Sequence, residues 1–239
     1  MNLVGKVAVV TGSGRGIGKA TAYALAKQGA EVVVSSRTQS DIDSVKKDIE
    51  ALGRKSLALR ADVSNESDVK MLFAETLREF RRIDILINNA GIGVFAPVVD
   101  LSAVDFDRMW AVNMRGIFLC AREALPHMSK QRSGDIINIS SLAGRNSFVG
   151  GAGYCATKWA LIGFARCLML EVREQNVRVV TLCPGSVDTD FAHDTSRSHR
   201  STENIPKAED IARVIIDTLL MPRHVMVSEV DIRPTNPKK

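Results

Sequence analysis

Most features that would announce a specialised class are missing from this sequence. Its four cysteines (Cys120, Cys155, Cys167 and Cys183) contain no C-x-x-C pair, and its four histidines (His127, His193, His199 and His224) form no H-E-x-x-H or Cys/His cluster. Neither a disulfide framework nor a bound metal is expected. No run approaches the ~18 consecutive apolar residues of a membrane span. The opening "MNLVGKVAVVTG" leads straight into a strand, without a basic leader, a long apolar region and a cleavage site. A cytoplasmic protein without membrane contact is the expectation. An excess of one charge is also lacking, because 32 basic residues are interspersed with 27 acidic ones for a net +5. This excludes the basic stripe of a nucleic-acid binder and leaves a mild positive field suited to a phosphorylated cofactor or anionic substrate. Tyrosine is scarce, with only Tyr23 and Tyr154.

What remains is the make-up of an ordinary folded protein, 45% apolar and 25% charged. A chain of 239 residues suits one α/β domain over 1–239, large enough to bury a core unaided. Short apolar runs at 6–10, 31–35, 55–61, 83–88, 135–140, 177–183 and 224–232 read as strands. Segments of helical period lie between them, for example Ile42, Val45, Ile49 and Leu52. Alternation of this kind predicts right-handed crossovers and a doubly wound, Rossmann-type parallel sheet of about seven strands with helices on both faces. The polar stretch at about 190–206 breaks the pattern and reads as a substrate lid.

The first strand ends in "TGSGRGIG", residues 11–18. Gly12, Gly14, Gly16 and Gly18 depart from the usual G-x-G-x-x-G spacing, yet the physical logic survives. Glycines permit close backbone approach, and the helix starting near Ile17 offers unpaired N–H groups to a pyrophosphate. Ser13, Arg15 and Ile17 complete this candidate dinucleotide turn. An acid at the end of the second strand would bind the ribose 2′-hydroxyl of NAD. Ser35, Ser36 and Arg37 stand there instead, and Asp41 is expected to lie already in the following helix. Arg37 and Arg15 could fork around a 2′-phosphate, so NADP(H) is the expected cofactor.

In "GAGYCATKWAL", Tyr154 precedes Lys158 by one helical turn. A phenol has a reference pKa of about 10. An ammonium roughly 6 Å away, at an effective dielectric of ~20, would favour the phenolate by about 3 kcal/mol, or about two pKa units. Tyr23 and Lys27 share the spacing in "YALAK", so spacing alone does not separate the pairs.

Together with the glycine turn and "NNAG" at 88–91, the Tyr/Lys pair resembles the short-chain dehydrogenase/reductase family, from the first strand to about residue 220. The NADP-preferring, 3-oxoacyl-[acyl-carrier-protein] reductase-like members are the most similar in pattern. The resemblance implies that Tyr154 is the catalytic acid/base and that Lys158 lowers its pKa and holds the nicotinamide ribose. It implies that Ser141 in "NISSLAG" donates to the substrate oxygen and that Asn113 in "AVNMRG" kinks a helix and anchors a water relay. Asn89, Ala90 and Gly91 would lie beside the adenosine ribose, and Asp62 and Val63 beside the adenine. In "PGSVDTDF", Pro184, Gly185, Val187 and Thr189 would wrap the nicotinamide. Val10, thirteen residues before Tyr23, offers no hydroxyl, which assigns Tyr23 and Lys27 to the surface.

The implied activity is NADP(H)-dependent interconversion of a ketone and a secondary alcohol. Reduction of a 3-oxoacyl thioester is the alternative, weakened by the ending "SEVDIRPTNPKK", and a non-catalytic NADP-sensing protein is a remote one. Val94, Phe95, Leu142 and Phe148 are expected in the substrate pocket. Helices 154–172 and 116–128 are apolar on more than one face, which predicts subunit packing; the resemblance suggests a homotetramer.

Overall fold

The computed structural model describes residues 2–189, 191 and 204–235. Its strands are β1 (Val7–Thr11), β2 (Glu31–Ser36), β3 (Ser56–Arg60), β4 (Ile85–Asn88), β5 (Gly134–Ile139), β6 (Val177–Pro184) and β7 (Glu229–Ile232). All pair in parallel in one sheet ordered β3-β2-β1-β4-β5-β6-β7. The β-branched runs that build it are buried on both faces, as parallel sheets require. Alternation sorts their side chains: Val10, Val34, Ile87, Ile137 and Leu182 enter one core, and Val9, Val33, Leu86, Ile136 and Val179 the other.

Helices α1 (Gly16–Lys27), α2 (Gln39–Ala51) and α7 (Ala208–Leu219) cover the first face. Helices α3 (Glu66–Phe80), α5 (Gly116–Gln131) and α6 (Ala152–Val172) cover the second. Helix α4 (Ala103–Trp110) runs into α5 through a π-helical turn, Ala111–Arg115. The chain builds outward from β1 to β3 and then returns to β4 on the other side of β1. This reversal opens a crevice beyond the carboxyl ends of the strands, where ligands of such sheets bind.

The opposite, amino end of the sheet is closed by charge. Asp84 accepts bonds from Lys6 Nζ at 3.0 Å, Val7 N at 3.0 Å and Arg82 Nε at 2.6 Å. Asp135 accepts from Arg178 Nε at 2.5 Å and Arg223 Nη1 at 2.8 Å. The buried Arg178 also donates to the carbonyls of Leu219, Met221 and Val225. Those bonds wrap the stretch after α7 around the base of β6, so β7 starts at Glu229 rather than at 224 as the apolar run predicts. Most of the predicted lid at about 190–206 lies outside the described residues, which include only Phe191 and 204–206 of it.

Candidate active site

The glycine turn is held by the strand beside it. Asn89 Nδ2 donates to the carbonyls of Thr11 and Gly12, both at 3.0 Å, and Thr11 Oγ1 accepts from Asn89 N at 3.0 Å and Ala90 N at 3.2 Å. Gly12 and Gly16 adopt φ of +64° and +54°, the left-handed region in which a side chain is strained. A Cβ on Gly12 would stand 2.8 Å from Ala90 Cα, and one on Gly18 would collide with the Gly12 carbonyl. Helix α1 begins at Gly16, one residue before the expected start. It has no side-chain cap and no acid in its first turn, whereas α3 is capped by Asn65 and opens with Glu66 and Asp68. Its terminal N–H groups therefore face the crevice without an internal anion, as a pyrophosphate site requires.

A cleft of about 850 Å³ follows the carboxyl ends of the strands. Gly12, Gly14, Arg15, Gly16, Ile17, Ser36, Arg37, Asp62, Val63, Asn89, Ala90 and Gly91 line one end. Ser141, Tyr154, Lys158, Pro184, Gly185, Val187 and Thr189 line the other. Two residues expected to touch a cofactor do not line it. The buried Ser13 hydroxyl is turned to β2, accepting from Ser35 N at 2.8 Å and donating to Ser35 O at 3.3 Å. Gly18 lies beneath the turn as a packing residue. Sequence reasoning missed Asp41 as a cleft residue; it stands in the first turn of α2 and lines the adenosine end. A Cβ on Gly14 would meet Asp41 Cβ at 2.8 Å and Ser36 Oγ at 3.2 Å, so Gly14 is small in order to admit α2. An acid four residues after Arg37 was the available signal. Partial burial pushes Asp62 up, but hydrogen bonds from Ser64 and the charges of Arg37 and Arg108 prevail and hold it below the usual carboxylate range.

At the other end, α6 presents Tyr154 and Lys158, both buried, to the cleft. Lys158 Nζ donates to Ile139 O at 2.9 Å and stands 5.6 Å from the Tyr154 ring centroid. Ser141 leaves β5 in an extended conformation, hydrogen-bonds Tyr154, and accepts from Ala143 N at 3.1 Å. Ser140, its neighbour, turns its hydroxyl to the Lys158 carbonyl at 3.2 Å, consistent with strand alternation. Asn113 sits behind the cleft in the π-helical turn and clamps Ile92, accepting from its N–H at 2.9 Å and donating to its carbonyl at 2.8 Å. It donates as well to Thr157 Oγ1 at 3.1 Å, which in turn bonds the Tyr154 carbonyl at 2.8 Å. The extra residue of a π turn aims this amide, a common device at functional sites.

The electrostatics correct one expectation. Burial pushes the Tyr154 phenol up to about 12, outweighing the hydrogen bond with Ser141. Burial likewise pushes the Lys158 ammonium down to about 8. The cost of taking both groups out of water dominates the attraction expected from their i,i+4 spacing. Tyr23, by contrast, donates to Asp48 at 2.5 Å on the partly exposed face of α1, far from the cleft, as expected of a surface pair. Of the anticipated pocket residues, Phe95, Leu142 and Phe148 line the cleft; Val94 does not, its N–H pointing to Met109 Sδ at 3.4 Å.

Residues 6–200 match the short chain dehydrogenase family. A 3-oxoacyl-[acyl-carrier-protein] reductase of Synechocystis sp. is 40% identical over 190 residues, 79% of this chain and 77% of that one. A metagenomic short-chain oxidoreductase solved in complex with NADP superposes with a TM-score of 0.86 at 34% identity, over 98% of this chain and 99% of the other. The 3-ketoacyl-(acyl-carrier-protein) reductase of Brucella melitensis, solved with NADH, gives 0.90 at 30% identity over the same shares. With its parallel seven-stranded sheet and its cleft at the switch point, this chain belongs to the short-chain dehydrogenase/reductase family of oxidoreductases.

Proposed function

We propose that the protein is an NADP(H)-dependent reductase that converts a ketone to a secondary alcohol, with Tyr154 as its acid. The observation that carries this is the convergence of Tyr154, Ser141 and Lys158 on the same cleft as the glycine turn. The glycines whose Cβ positions are blocked and the uncapped start of α1 fit a dinucleotide pyrophosphate. Gly12, Gly14, Arg15, Gly16 and Ile17 would hold that group, Asp62 and Val63 the adenine, and Pro184, Gly185, Val187 and Thr189 the nicotinamide end. Arg15 and Arg37 would bind the 2′-phosphate, no acid standing at the end of β2. The bound nucleotide supplies the hydride.

The chain's own groups manage the charge that grows on the substrate oxygen. A phenol held at about 12 carries its proton at pH 7, so Tyr154 rests in the acid form that ketone reduction consumes. Ser141 donates a hydrogen bond to the same oxygen. Lys158, about 8, is mostly charged at pH 7, and its field stabilises the phenolate left once Tyr154 has given up its proton. Asn113 is a positioning residue that fixes α6 against the 91–95 strand exit. Following NADPH and NADH oxidation in parallel with a ketone panel tests the proposal; oxidation of NADH alone, or of neither, overturns it. The names of the Synechocystis and Brucella relatives favour a 3-oxoacyl thioester as the second substrate class, to be included in the panel. Part of the outer face of α5 and α6 is apolar, with Phe118, Trp159 and Leu170 42%, 52% and 56% exposed. This supports a homo-oligomer, a tetramer by family pattern, which a clean monomer in light scattering would refute.

A further inference from the structure

We propose that the substrate end of the cleft is an aromatic box whose preferred occupant is a ketone carrying an aryl ring. The proposal rests on the reductase assignment above and narrows its substrate class. Four of the twelve aromatic side chains of the sequence, Phe95, Phe148, Tyr154 and Phe191, gather here and line the cleft. Phe95 meets Tyr154 edge-on at 5.4 Å and 82°, and Phe148 at 5.6 Å and 63°. Phe191 tilts toward Tyr154 at 6.0 Å and 42°. The rings come from four separate parts of the chain: the segment after β4, the loop before α6, α6 itself, and the end of "PGSVDTDF".

Glycines make room for them. A Cβ on Gly93 would stand 3.0 Å from the tips of both Phe95 and Phe191 and 3.4 Å from the Tyr154 ring, and one on Gly151 would collide with Phe148. Backbone has thus been stripped of side chains where the rings pack. Phe95 and Phe148 are half-buried, Phe191 is exposed, and all three line the cleft. Aromatic rings arranged edge to face attract a further ring through their quadrupoles, an attraction that a saturated ring of similar size lacks. Two such contacts amount to roughly tenfold in affinity. The carbonyl then reaches Tyr154 and Ser141 from a ring laid against the cleft-lining sides of Phe95, Phe148 and Phe191. In the reaction the carbonyl carbon gains hydride from the reduced nucleotide and its oxygen gains the Tyr154 proton, giving the alcohol and oxidised nucleotide.

The matched pair 4-phenylbutan-2-one and 4-cyclohexylbutan-2-one isolates the effect, because the carbonyl is equally reactive in both. With NADPH, kcat/KM is expected to favour the phenyl compound about tenfold, chiefly through KM, and to exceed that for an acetoacetyl thioester. Phe95→Leu is expected to bring the phenyl-to-cyclohexyl ratio below about threefold. Phe148→Leu serves if that variant melts early, since the ratio needs only the folded fraction. Equal use of the two ketones, a thioester preference, or an unchanged ratio in the variants overturns the aromatic box while leaving the reductase assignment standing. Calorimetric titration with 4-phenylbutan-2-ol covers the remaining case: if no ketone is reduced, binding of the phenyl alcohol over its cyclohexyl analogue supports the box and sinks only the reductase. Equal or absent binding sinks the box too.

Discussion

The two ends of the sheet bury charge in opposite ways. At the amino end every buried charge described above has an opposite charge in contact. Burial would raise Asp84, but Arg82, Val7 N–H and Lys6 hold it below the usual range. The buried Arg178 has Asp135 and three carbonyls. At the carboxyl end Lys158 is as buried as Arg178, yet its only described hydrogen bond is to the Ile139 carbonyl, and Tyr154 beside it is desolvated as well. Paired buried charges hold a shape. Unpaired ones have pKa values displaced by burial, the condition in which a side chain can exchange protons during a reaction.

Substitutions at the two ends should therefore fail differently. Asp135→Ala strips the buried Arg178 of its carboxylate and is expected to cost about 3–5 kcal/mol of stability. Denaturant unfolding would show this, with kcat/KM of the folded protein within threefold of the parent; a marked loss of rate would break the contrast. Ser141→Ala is expected to do the reverse, lowering kcat by roughly 10²–10³-fold. Its unfolding midpoint should move little, because the hydroxyl's backbone bond caps only a short turn.

Stability as a function of pH sharpens the comparison further. Lys158 is lowered from its ordinary value to about 8, so between pH 8 and 10 the unfolded chain binds more protons and this residue makes stability rise with pH. Above pH 10 the raised Tyr154 acts the other way, since the folded state then holds the extra proton. Lys158→Met should flatten the rise between pH 8 and 10 by at most about 2 kcal/mol. An unchanged profile would contradict the burial of that ammonium. The smallest expected effect is at the cofactor end. Arg37→Ser should weaken NADPH relative to NADH by about tenfold, roughly 1.4 kcal/mol, measured as the ratio of their KM values.

Much of this was legible in the sequence because a parallel sheet writes itself as apolar runs. All seven strands stand where Val, Ile and Leu cluster; β3 and β4 lose one or two residues at their ends, and β7 is shortened most, beside side-chain bonds from Arg178 that no local pattern records. The glycines of the turn and the Tyr154–Lys158 spacing were equally plain. Ser13 was misread because a hydroxyl in a glycine turn can face the ligand or the neighbouring strand, and only the register of β1 against β2 decides. Asp41 was missed because its place in the cleft depends on the missing side chain of Gly14, a contact 27 positions away. The direction of the Tyr154 shift was also invisible. Proximity to Lys158 is a local fact, but desolvation depends on Phe95, Phe148 and the packing of the whole cleft.

The most direct test of the central claim is turnover of Tyr154→Phe with NADPH and 4-phenylbutan-2-one, alongside NADPH affinity by fluorescence titration. Loss of the phenolic proton should lower kcat by about 10³-fold while NADPH binds within threefold as tightly. Turnover within tenfold of the parent would show that the proton comes from elsewhere and that Tyr154 is not the acid.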